Sequence, residues 1–182
     1  MSAVLDMNIR KNKQISSILI GLLLSTLIYI AAIGAIASST FINPSPALAE
    51  DFDKQTLIGE DFSGRDLKDS SFNAAIIKKA NFSNTDLRGV VLFGAHAERA
   101  NFEGANLSFA TLDNIHAQKA NFTNAILEGA FMYNAQIQGA TIDGADFTDA
   151  FISRDEEKIL CDLAKGTNPV TKRDTRDTLY CR

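Results

Sequence analysis

From Phe52 to Ile152 every fifth residue of this chain is apolar, a period that neither an α-helix nor an ordinary strand possesses. Of these 21 positions nineteen carry Phe, Leu, Ile or Met, with Ala97 and Ala117 as the exceptions. Two residues before each centre, from Ala75 to Ala150, thirteen of sixteen positions are Ala, the others being Thr85, Val90 and Ile115. Helices repeat every 3.6 residues and strands every two. A period of five instead describes a chain that turns a corner every five residues. Each side then points one large and one small side chain inward, because a narrow tube has no room for two large ones.

A second period sets the cross-section. Ala80-Asn81-Phe82, Ala100-Asn101-Phe102 and Ala120-Asn121-Phe122 recur twenty residues apart, as do His96-Ala97 and His116-Ala117. Twenty residues make four sides of five, so like residues stack on like along the axis. Phe62, Phe82, Phe102 and Phe122 form one inward column, Leu67, Leu87, Leu107 and Leu127 another. Asn81, Asn101 and Asn121 are placed to form a hydrogen-bonded ladder.

This pattern resembles the pentapeptide-repeat family, whose repeat is written A-(D/N)-L-x-x. The resemblance implies an all-β solenoid, a right-handed quadrilateral β-helix of about five coils over residues 50–152. At about 4.8 Å per coil, the stack is expected to be roughly 24 Å long. Ala97 and Ala117 are small where a large residue is expected, and Ile115 is large where Ala is expected. A small void or a local bulge is expected there, with an inward His96 as the alternative.

Residues 153–182 leave the period and are expected to form a short α-helical C-terminal cap over an otherwise open strand edge. Ser153 and Glu156 make a capping-box pattern, Ile159, Leu160 and Leu163 an apolar face, and Gly166 a stop. Thr171 and Asp174 suggest a second short helix running toward Leu179. Cys161 and Cys181 are the chain's two cysteines, and an even pair in an exported segment reads as a disulfide. Two free thiols or half of a metal site are the alternatives. A bridge would staple the two helices, and closing a loop of about 20 residues contributes roughly 3 kcal/mol in the chain-entropy model.

Residues 1–49 have another character. Arg10, Lys11 and Lys13 precede an apolar run, and Ala47-Leu48-Ala49 precedes Glu50. These are the marks of a signal peptide cleaved after Ala49. An uncleaved membrane anchor is the alternative. The cap sequence from Arg154 to Cys181 resembles the tails of cyanobacterial and plant thylakoid-lumen pentapeptide-repeat proteins. That resemblance implies the thylakoid lumen, with the periplasm, or a membrane-anchored chain on the same side, as the alternatives. No membrane insertion of the mature chain is expected once the leader is removed.

Nothing in the pattern converges on catalysis. No nucleophile elbow and no Gly-rich phosphate loop is present, and the acids fall on solvent-facing repeat positions. No enzyme activity and no cofactor are expected. His96 and His116, one coil apart, are close enough to share a metal, but Ile76 and Gln136 flank them in that column and supply no third ligand. They are read as a surface pair, with no metal expected.

Residues 50–152 carry fifteen acids and eight bases, net −7, which argues against nucleic-acid binding through a basic patch. On the side centred at Leu92, Leu112 and Met132, outward positions include Val91, Phe93, Phe131, Tyr133 and Phe151. Aromatics on one face suit a protein partner of unknown identity, unless the cap or the N-terminal segment covers them. The leading function is therefore a protein-interaction or scaffold module. The alternative is a DNA-mimicking, topoisomerase-binding pentapeptide protein, which the acidic body allows and export disfavours.

Overall fold

A computed structural model describes residues 49–182. The leader expected at 1–49, and its anchor alternative, lie outside the described residues apart from Ala49. Among the described residues no helix is long and apolar enough to cross a membrane.

From residue 50 to 152 the backbone repeats one five-residue unit. The centre and the residue two before it point inward. The residue between them points outward and pairs with its counterpart twenty residues on. Parallel bridges in this register run from Asp51↔Ser71 through Asn81↔Asn101 to Phe131↔Phe151. The bonds alternate direction: Phe82 N–H donates to Asn101 O (2.7 Å), and Asn101 N–H donates to Ala80 O (2.9 Å). A turn closes each side, as where Ala105 N–H donates to Phe102 O (3.0 Å). Every corner residue from Lys54 to Asp149, each fifth position, has φ between +53° and +73°. That left-handed region explains the frequency of Gly and Asn at the corners.

The centres fill the tube. Phe62, Phe82, Phe102 and Phe122 stack in nearly parallel pairs with ring centroids 4.9, 5.2 and 5.0 Å apart. Such pairs add about 0.5–1.5 kcal/mol each beyond area burial. Outside, the Asn ladder forms as its register requires. Asn101 Nδ2 donates to Asn81 Oδ1 (3.2 Å), and Asn121 Nδ2 donates to Asn101 Oδ1 (3.0 Å).

At the two small centres the ladder is unbroken. Ala97 N–H donates to His116 O (2.7 Å) and His96 pairs with His116, so the expected bulge does not form. A bulge would forfeit ladder bonds to the neighbouring coils, each worth about 1 kcal/mol. Ala95, Ala97, Ile115 and Ala117 are all buried. His96 points outward, its side chain 42% exposed, so the inward alternative fails as well.

Helix α1 (Arg154–Leu163) begins with the reciprocal capping box of Ser153 and Glu156. Helix α2 (Thr175–Thr178) is capped by Asp174. Two expectations need correction. Of the three residues expected to form an apolar face on α1, Leu160 is buried while Ile159 and Leu163 are exposed. Gly166 does not cap α1, which ends at an extended Ala164. Instead it lies against Gly144, whose nitrogen a Cβ at Gly166 would approach to 3.1 Å. Close backbone approach, with φ +83°, is what requires glycine there.

The segment meets the last coil through specific bonds. Asn168 is fully buried, and its Nδ2 donates to Asn124, Ala125 and Gly144 carbonyls at 3.2, 3.3 and 2.9 Å. Phe147 N–H donates to Thr178 Oγ1 (3.1 Å). Arg173 reaches the buried Asp146 at 3.2 Å. Cys161 and Cys181 are joined as a disulfide with Cα atoms 5.5 Å apart.

Candidate functional site

The repeat itself manufactures the aromatic side. Outward positions recur every twenty residues in a straight column, so a large apolar residue there cannot turn inward without abandoning the bridge register. One column reads Val91, Thr111, Phe131 and Phe151, and the next reads Phe93, Asp113 and Tyr133. Phe131 and Phe151 stack with centroids 4.8 Å apart and planes within 4°. Phe93, Phe131, Tyr133 and Phe151 are all exposed, and Val91 is half-buried. The four aromatics keep between 39% and 50% of their surface exposed.

Sequence reasoning missed one member. Phe109, 66% exposed, occupies the corner that opens onto this side. Its ring lies over Gly129 in the next coil, where a Cβ would come within 2.7 Å of the ring. The signal was a bulky apolar residue at a corner position otherwise dominated by Gly and Asn. Three carboxylates, Asp69, Asp113 and Asp149, sit along the same side and its corner. Tyr133 N–H donates to Asp113 Oδ1 (2.8 Å). The result is an aromatic strip with an acidic edge.

The histidines do come together, with stacked rings 4.6 Å apart and 18° between planes. Stacked imidazoles present their faces to each other rather than converging nitrogen lone pairs on one point. Glu98, 4.0 Å from His96 Nδ1, is already engaged by Lys78 at 2.8 Å. Among the described residues no three His, Cys, Asp or Glu side chains are grouped to hold a metal. A depression of about 750 Å³ lies beside the disulfide, lined by Arg154, Lys158, Cys161, Tyr180 and Cys181 among others.

Known proteins share this architecture. The Pentapeptide repeats family matches residues 61–92 and 118–154 in eight copies. A crystal structure of a pentapeptide repeat protein from the thylakoid lumen of Arabidopsis thaliana is 40% identical, with a TM-score of 0.71. The alignment covers 72% of this chain and 91% of that one. This chain belongs to the pentapeptide-repeat family. The fold of this pentapeptide-repeat protein is thus a β-helical solenoid. It is also related to the chloroplast thylakoid lumenal protein TL20.3 of Arabidopsis thaliana, at 53% identity over 38 residues. That match covers 21% of this chain and 14% of the relative's length.

Proposed function

We propose that this pentapeptide-repeat protein is a non-catalytic interaction scaffold of the thylakoid lumen. In this reading it is a right-handed rod of about five coils, closed at its C-terminal end by residues 153–182. It meets another protein through the side bearing Val91, Phe93, Phe109, Phe131, Tyr133 and Phe151. The observation that carries the reading is the exposure of five aromatic rings on one side and its corner of a rigid tube. Aromatic side chains are enriched at interfaces and dominate their energetics. The interior is packed with its own side chains, which supports a role played on the outside.

The leader belongs to the same proposal. Hydrogen bonding to the second coil starts at Glu50, whose N–H donates to Ser70 Oγ (3.0 Å) and whose carbonyl accepts from Ser71 N–H (2.9 Å). Cleavage after Ala49 would leave those bonds intact. The lumenal relatives support the compartment.

The test is affinity capture from isolated lumen with wild-type chain and with Phe131→Ser/Tyr133→Ser/Phe151→Ser, with mass spectrometry of the mature N-terminus. The proposal expects an N-terminus at Glu50 and one defined partner that the variant loses. A partner retained equally by the variant would move the interface elsewhere, and no specific partner would remove the scaffold reading.

A further inference from the structure

Away from the aromatic side, one corner of the rod carries a column of cations on an otherwise acidic body. Lys79, Arg99 and Lys119 occupy the same corner in three successive coils, all exposed. At about 4.8 Å per coil they form a ridge roughly 10 Å long. Arg65, Lys68, Lys78 and Arg88, elsewhere on the body, each meet a carboxylate at 2.6–3.0 Å. No such ion pair is made by Lys79, Arg99 or Lys119 among the described residues. The carboxylates nearest Arg99 in sequence are already engaged: Glu98 by Lys78, and Glu103 by Asn121 Nδ2 at 3.3 Å.

Two costs attend this arrangement. Like charges stacked in register on neighbouring strands repel. All three residues also adopt left-handed backbone, with φ of 59°, 61° and 59°, a region that Gly or Asn holds at twelve of the other seventeen corners. Long side chains tolerate that conformation less well than Gly or Asn. A costly feature maintained over three coils points to a use outside the fold.

We propose that the Lys79–Arg99–Lys119 ridge is a second docking line that receives a short acidic segment of a partner protein. Carboxylates at i, i+4 spacing on a helix stand about 5–6 Å apart, close to the pitch of the ridge. The occupant is short because the ridge is short. A long nucleic acid or an anionic membrane plane would also overlie acidic flanks, where residues 50–70 alone carry seven acids and three bases. This surface is independent of the aromatic side, so either can fail alone.

The test compares the purified chain with Lys79→Asn/Arg99→Asn/Lys119→Asn for binding of a fluorescent hexaglutamate peptide, a short DNA duplex and phosphatidylglycerol vesicles. The chain binds hexaglutamate at about 0.01 M salt, at least about tenfold more tightly than the variant. The difference fades by about 0.15 M salt, as the screening length falls from about 30 to about 8 Å. The variant melts at the same or a higher temperature, because it relieves both costs. Equal hexaglutamate binding by the two proteins overturns the proposal. So does preferential binding of DNA or vesicles, and so does a variant that melts lower, which would make the ridge structural.

Discussion

The coil body and the C-terminal segment reach stability by opposite means. In the body each backbone bridge is repeated from coil to coil, so no single residue defines the register and many share the load. In residues 153–182 nothing repeats, and the attachment to the last coil rests on a few unlike contacts. These are Asn168 on three carbonyls, Gly144 N–H on Lys165 O, Thr178 on Phe147 and Arg173 on Asp146, while the disulfide ties the segment to itself. Periodicity makes the body redundant, whereas the end is held by parts that have no substitute.

The comparison breaks first in the core of the body. Phe102→Ala removes a ring stacked between Phe82 and Phe122 and is expected to destabilise the chain by about 3–5 kcal/mol. Chemical denaturation should show that loss with cooperativity reduced, because the coils on either side communicate only through the damaged one. Reducing the disulfide, or replacing both cysteines with Ser, should cost roughly 3 kcal/mol. Hydrogen exchange is then expected to quicken in residues 153–182 and the last coil while the coils around Phe82 keep their protection.

Smaller changes sharpen the contrast. Asn168→Ala leaves the carbonyls of Asn124, Ala125 and Gly144 without their side-chain donor, a loss of about 1–3 kcal/mol read by the same exchange experiment. Asp146 makes the end sensitive to acid. Burial pushes its carboxyl up, but the Thr148 hydroxyl and N–H, together with the Arg173 guanidinium, hold it below its ordinary 3.8. A depressed carboxylate stabilises the fold above its ordinary value and loses that contribution as pH falls through the lower folded value. Protection of the last coil should therefore fall as pH drops below about 3.8, and Asp146→Asn should flatten that dependence. Phe131→Ser removes a ring stacked on Phe151 and is expected to cost about 0.5–1.5 kcal/mol.

The same contrast explains what could be read in advance. Ala-Asn-Phe recurring at 80, 100 and 120 states the register outright, because stacked coils allow few alternatives to like upon like. The capping box at Ser153 and Glu156 was equally plain, being a local pairing three residues apart. Asn168 and Arg173 were opaque, since their partners lie 24 to 45 residues away and no periodicity points to them. No bulge forms at Ala97 and Ala117 because the unbroken ladder holds both coils in place whatever the volume of the centres. Phe109 falls outside the columns of the apolar period, because its place at a corner follows from the turn geometry and not from the five-residue pattern of inward residues.

The aromatic strip keeps its outer faces exposed, and the proposed function rests on them. A photo-reactive amino acid placed at Phe131, and separately at Ser83 on the Asn-ladder side, tests that assignment in the native compartment. The account predicts one defined adduct from position 131 and none of that mass from position 83. The same adduct from both positions, or no adduct from 131, would contradict it.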